Sequence, residues 1–193
     1  MIWKHIQSET IKDYKYLLSE LIDLGYTINS ITIDGKRGLY KAFEGYPVQM
    51  CHFHQKRIIQ RYITKHPKLR ASKDLQKILQ RLTCTNETIF TKKLDAWYET
   101  HKYFLGEKTF NETIGKEYFT HAKLVSAYRS LRTNLPYLFA YKNHKHLDIH
   151  NTTNSLDGGV FSPIKILIKI HRGLTKSLKL KMVDDYLIRN KKN

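Results

Sequence analysis

Two acids and one thiol–imidazole pair are the residues best placed to do chemistry: Asp34, Asp157, and Cys51 with His54. Asp34 follows Ile31, Thr32 and Ile33, a β-branched apolar run that reads, with Ile28, as a buried strand. An acid at the carboxyl end of a strand sits where α/β sheets place their active groups. The alternative for Asp34-Gly35 is an ordinary turn closing the strand. Asp157 ends the stretch Asn151-Thr-Thr-Asn-Ser-Leu-Asp157, whose Asn and Thr residues are good helix caps. The acid falls on the first turn of that helix, as a ligand or as a carboxylate favoured by the helix dipole. Cys51 and His54 stand at C-x-x-H spacing, half of a zinc set. Completing the set needs two more ligands; Cys84, His52, His66 and His101 are candidates, at no regular spacing. Otherwise the pair is a buried Cys and a partly exposed His opening a helix.

The elements that must position these residues follow from hydrophobic periodicity. Residues 1–5 read as the end of a strand. Ser8 or Thr10 caps a helix whose apolar face is Ile11, Tyr14, Leu17, Leu18, Leu21 and Ile22, ended by Gly25. After the strand to Asp34 come a short helix over 38–43, stopped by Gly45 and Pro47, and a second strand over 48–51. A basic helix over 55–65 stops before Pro67. The β-α-β-α-β order makes 1–54 an α/β unit with at least partly parallel pairing. Strand signals then nearly vanish as far as Ile149. Helices are expected over 72–82, 88–104 and 118–131, with a short element over 135–139 around Pro136 and loops at 106–113 and 142–152. Trp97, Tyr98 and Phe104 read as the core of this helical part. Downstream, Leu156, Val160, Phe161, Ile164, Leu167 and Ile168 recur at helical spacing, with an irregular start at Gly158, Gly159 and Pro163. A last amphipathic helix is expected over 175–188.

The stretch 28–54 resembles the DDE transposases of the Mutator-like superfamily, which include bacterial insertion-sequence transposases. In that family the second catalytic Asp ends a strand and is followed by a Gly-rich turn, a helix, a Pro-containing segment and a Cys-x-x-His pair. The matching residues are Asp34, Gly35, Gly38, Ala42, Pro47, Cys51 and His54. Asn151-Thr-Thr-Asn-Ser-Leu-Asp157 resembles the family's Thr-Asn-x-x-Glu pattern, whose acid is the third metal ligand. The resemblance implies a mixed α/β fold with a ribonuclease-H-like core, its sheet incomplete at the N-terminal edge, and a large all-helical insertion. On that pattern 1–69 is the first part of the core, 70–150 the insertion, and 151–193 the helices that complete the core. It also implies that Asp34 and Asp157 are catalytic and bind Mg²⁺ or Mn²⁺, which would bring them within about 10 Å of each other for two-metal phosphoryl transfer. Zinc is not expected. The partners implied are double-stranded DNA, as element ends and target, with a homo-oligomer left open. Two departures stand out. The family's first catalytic Asp has no match, so the start reads as a truncation. Asp157 also replaces the usual Glu, one methylene longer. The chain alone is therefore expected to be inactive in DNA cleavage and strand transfer. A non-catalytic DNA-binding remnant or regulator of transposition is the alternative.

Composition points to the same partner. There are 34 Lys and Arg against 17 Asp and Glu, a formal net charge of +17, which favours a polyanion such as nucleic acid. The candidate phosphate-binding cations are Lys56, Arg57 and Arg61, then Arg129 and Arg132, then Lys165, Lys169, His171 and Arg172. No helix-turn-helix or zinc-finger pattern is present, so binding should be little dependent on sequence. Two cysteines make no disulfide framework, and no apolar run approaches the length of a membrane span. A cytoplasmic, nucleoid-associated protein is expected.

Overall fold

The computed structural model describes residues 3–36 and 38–190, apart from the side chains of Ser155 and Asp157. The chain is mixed α/β. In order its elements are α1 (Ile11–Asp23), β1 (Ile31–Ile33), α2 (Leu39–Ala42), β2 (Val48–Met50), α3 (His52–Ile63), α4 (Arg70–Gln80), α5 (Glu87–Gly106), β3 (Lys108–Asn111), β4 (Lys116–Phe119), α6 (Ala122–Leu138), α7 (Ala140–Asn143), α8 (Asn154–Leu156), α9 (Ser162–Ile170) and α10 (Lys176–Arg189). They fall into two units, one over Met1–Ile28, Gly38–Glu44 and Thr153–Asn193, the other over Asn29–Arg37 and Gly45–Thr152.

The second unit holds the two strand pairs found among the described residues. β1 and β2 run parallel, with Ile31 opposite Val48, Thr32 opposite Gln49 and Ile33 opposite Met50. Ile33 and Met50 are buried, so the short β-branched run earns its strand through burial rather than length. The helices α3, α4, α5 and α6 pack on one another, and α6 also packs on β2. Their meeting faces supply the core: Ile59 and Ile63 from α3, Leu75 and Leu79 from α4, Phe90, Leu94 and Trp97 from α5, and Leu124, Ala127, Leu131 and Leu138 from α6. Trp97 satisfies its indole by donating to the Ala71 carbonyl at 2.9 Å, which ties α5 to the start of α4. Asn86 caps α5 by accepting from the Ile89 amide at 2.9 Å. Tyr98 is more exposed than its place in an expected core suggests; its ring stacks on Tyr128 at 4.8 Å.

The stretch 70–150, expected to be helical throughout, contains an antiparallel hairpin. β3 pairs with β4, Lys108 opposite Phe119 and Asn111 opposite Lys116. The turn explains it. The Asn111 side chain accepts from the amides of Thr113 (3.0 Å) and Ile114 (3.3 Å), and Gly115 takes a left-handed φ of +61°. These contacts reverse the chain and leave Tyr118 and Phe119 in a strand, although their apolar spacing continues into α6. The expected loop at 106–113 is therefore partly strand, and the helix expected from Tyr118 begins at Ala122. Pro136 opens no element of its own; it lies inside α6, two residues from its end.

In the first unit, Thr10 caps α1 in a capping box with Asp13: the Asp13 amide donates to the Thr10 hydroxyl, and the Thr10 amide to the Asp13 carboxylate. The strand expected over 1–5 is not formed in its described part, Trp3 to His5. Instead the Trp3 indole donates to Asp184 Oδ1 of α10 at 2.8 Å, and His5 Nε2 lies 2.7 Å from the same oxygen. Tyr14 of α1 meets Phe43 edge-on at 6.2 Å. Gly38 takes φ +86°, which favours glycine, and a Cβ there would stand 2.3 Å from Ile11 Cδ1, so any other residue would also displace the end of that side chain. The irregular start expected before α9 is a π turn over Asp157–Phe161. Among the described residues no helix is long and apolar enough to cross a membrane.

Candidate functional site

Asp34 is placed by the β1–β2 ladder. The Ile31 amide donates to the Pro47 carbonyl at 3.0 Å, and the Cys51 amide to the Ile33 carbonyl at 2.8 Å, so pairing holds up to the residue before the acid. Gly35 then turns the chain with φ +92°. A Cβ at Gly35 would stand 2.6 Å from Met50 Cε, so both backbone angle and packing call for glycine. The Asp34 side chain is exposed and one carboxylate oxygen accepts from the Lys36 amide at 3.1 Å, an Asx turn. The turn reading of Asp34-Gly35 is thus realised in the geometry, and it leaves the acid at the surface beyond the strand end.

β2 leads straight into α3 through Cys51, which is buried and stands at the N-cap position. The first residue of α3, His52, donates its amide to the Asn151 carbonyl at 2.9 Å. Thr32 of β1 donates its hydroxyl to the neighbouring His150 carbonyl at 3.0 Å. The opening of the downstream Asn151-Thr-Thr-Asn motif therefore lies against the strand and helix of the upstream motif. The side chain of Asp157, the other expected acid, lies outside the described residues.

A set of buried polar groups, not foreseen as part of the site, fixes this corner. Gln49, His52, Gln55 and Asn134 are all buried. Gln49 donates to the carbonyls of Met50 (2.7 Å) and Leu138 (3.0 Å) and accepts from the Tyr141 amide at 3.0 Å. His52 Nε2 lies 2.6 Å from the Leu138 carbonyl, and Asn134 donates to Gln55 Oε1 at 2.6 Å. Because a carbonyl only accepts, the His52 proton sits on Nε2 and its Nδ1 carries a bare lone pair. The Nδ1 atoms of His52 and His54 are enclosed and have no hydrogen-bond partner among the described residues. Burial holds the His52 pKa below the usual histidine value, with Lys56 and Lys142 adding to the effect and the Leu138 carbonyl opposing it. His52 and Gln55 share the helical spacing of Ile59 and Ile63 on α3, and Asn134 that of Leu131 and Leu138 on α6, but their polar character hides them from a reading of apolar periodicity.

The expected cations are on the surface. Arg57 and Arg61 are exposed on α3, Lys56 is half-buried, and the Arg57 guanidinium lies 5.5 Å from the Phe53 ring. In the other unit Lys165, Lys169, His171 and Arg172 are exposed along and just after α9. Arg129 lies over the Phe119 ring at 5.6 Å, and Arg132 forms an ion pair with Asp95 at 2.9 Å.

Mg²⁺ and Mn²⁺ take oxygen ligands in sets, with more than one carboxylate or phosphate. Asp34 brings one carboxylate, part of which holds the Asx turn. Among the described residues no three or more His, Cys, Asp or Glu side chains come together as a metal group. Comparison of the chain with protein-family models, with curated proteins and with solved structures gives no match.

Proposed function

We propose that this chain is part of the catalytic domain of a DDE-type transposase with a ribonuclease-H-like core, acting on double-stranded DNA. The observation that carries the proposal is the meeting of the two motif segments. Asn151 accepts from His52 and His150 accepts from Thr32, the latter pair 118 positions apart, so distant residues frame the strand that ends in Asp34. The exposed acid lies at the carboxyl end of a parallel strand pair, where α/β sheets bind their ligands. Asp34 is on this proposal an acid of the reaction. Asp157 joins it on the sequence resemblance alone, and Mg²⁺ or Mn²⁺ enters on the same basis. DNA cleavage and strand transfer are the reactions of the class.

A non-catalytic DNA-binding role is the second proposal, favoured by the net charge of +17 and the exposed cations of α3 and α9. One experiment separates the two. Because the chain alone is expected to be inactive, it is extended by an upstream strand bearing the Asp of the family pattern. The extended chain is incubated with supercoiled DNA and Mg²⁺ or Mn²⁺, alongside Asp34→Asn and Asp157→Asn in the same extended chain, while DNA affinity is measured in parallel. Nicking that both substitutions abolish, at unchanged affinity, supports the transposase proposal. Binding without nicking leaves the DNA-binding role. A chain that does not bind DNA at low salt refutes both.

A further inference from the structure

In the second unit an open cleft of about 600 Å³ lies between two walls. One wall is the end of α3 and the turn into α4; the other is the end of β4 and the first turn of α6. Rings and cations share the lining: Tyr62, Tyr118 and Phe119 with His66, Lys68 and Lys123. None of the lining residues is an acid. Glu107, just before β3, and Glu117, within β4, are engaged by His121 (3.0 Å) and Lys108 (3.0 Å).

The walls are built and held. Thr120 donates its amide to the Glu107 carbonyl at 2.9 Å, and its hydroxyl lies 2.8 Å from that of Thr109. The His121 ring stacks on Phe104 at 3.7 Å, which fixes the start of α6. Ile63 and Leu124 close the floor and are buried. Opposite, Thr64 holds φ +67°, a left-handed conformation that is costly for a β-branched residue and is kept only where its surroundings enforce it. Tyr118 nevertheless stays 48% exposed and Tyr62 36%.

We propose that this cleft holds an unpaired nucleotide of a DNA strand, its base against Tyr118 and Tyr62 and its phosphates on Lys68 and Lys123. The cleft volume falls within the roughly 300–1,000 Å³ of small-ligand sites. Base faces in a duplex are covered by their neighbours, so rings set in a cleft select a base that is splayed out. Cations beside the rings then meet the strand's charge. The partner class rests on the proposal that the chain binds DNA, but the cleft uses none of the residues around Asp34.

The test uses the whole chain and two fluorescent strands of equal length, oligo-dT and its abasic counterpart, followed by anisotropy, with a duplex of the same length in parallel. Tyr118→Ala should weaken oligo-dT binding on the order of ten-fold and leave the abasic strand unaffected. Tyr118→Phe, which keeps the ring, should stay within about two-fold of the parent. Lys123→Gln should lower the salt slope for oligo-dT by roughly 0.7. Loss of affinity equal for both strands, or Tyr118→Ala without effect, overturns the proposal. If the duplex still binds in that case, the DNA-binding proposal survives alone. Ring-dependent oligo-dT binding with no duplex binding sustains the cleft and removes the duplex as partner.

Discussion

His52 carries the clearest consequence of a single side chain. Its enclosed Nδ1 has no acceptor among the described residues, so the folded chain keeps the ring neutral. Its folded pKa is lowered, so stability is fully present above the unfolded value, about 6.5, and is lost as pH falls below it. Urea midpoints should drop between pH 7.5 and 5.5, by up to about 1.4 kcal/mol of stability per unit. In His52→Gln that acid limb should flatten, since an amide still reaches the Leu138 carbonyl and takes no proton. Equal pH dependence in both proteins would place the titration elsewhere. Gly35 is the second such position. Gly35→Ala meets both a left-handed φ and Met50, and should cost roughly 1–2 kcal/mol or more in a urea melt. The Ile-Thr-Ile-Asp-Gly run announces the strand and turn at Asp34 in the sequence itself. The buried partners of His52 are not announced, because Leu138 and Asn151 reach it through backbone carbonyls that any residue type would supply.

The helices show where periodicity suffices. The helical periods over 72–82, 88–104 and 118–131 place Leu75, Leu79, Phe90, Leu94 and Leu131 on core faces, and all are buried, whereas Ile78, Phe104 and Val125 at the same spacing are only half-buried. Leu131→Ala, in the middle of α6, should cost about 2–5 kcal/mol, read by chemical denaturation. Thr10→Ala removes the capping box of α1 and should cost about 1 kcal/mol. The hairpin shows where periodicity misleads. Tyr118 and Phe119 precede Ala122, Leu124 and Val125 at helical intervals, so two of the four β4 residues merge into the apolar pattern of α6. The Asn111 side chain and the left-handed Gly115 outweigh that pattern, and both act through backbone geometry. The strand expected at the start of the chain fails for a similar reason. Trp3 and His5 find an acid on α10 in place of a ladder.

Across the molecule, charge and burial are unevenly spread. The net charge of +17 predicts DNA affinity that falls steeply with salt, log K declining with log salt by about 0.9 for each phosphate neutralised. Titrations between 50 and 200 mM salt check this, and a flat response would remove nucleic acid as the partner. None of the described residues of α1 or α9 is buried, whereas α3, α4, α5 and α6 each bury several. Amide hydrogen exchange should accordingly be much faster in α1 and α9 than in α3 and α6, since opening a helix with few buried contacts costs little. Protection of α9 equal to that of α6 would contradict the burial pattern.

The bond between His52 and the Leu138 carbonyl spans 86 positions, and that between Gln49 and the same carbonyl spans 89. During synthesis β1, β2 and α3 leave the ribosome long before α6 does. Until residue 138 arrives, Gln49 and His52 have no carbonyl to replace water, and a buried amide or imidazole without one is costly. The half-made chain must keep this corner wet. Closing so long a loop is slow compared with forming the local helices. The corner of Gln49 and His52 can thus be completed only after residue 138 has been made.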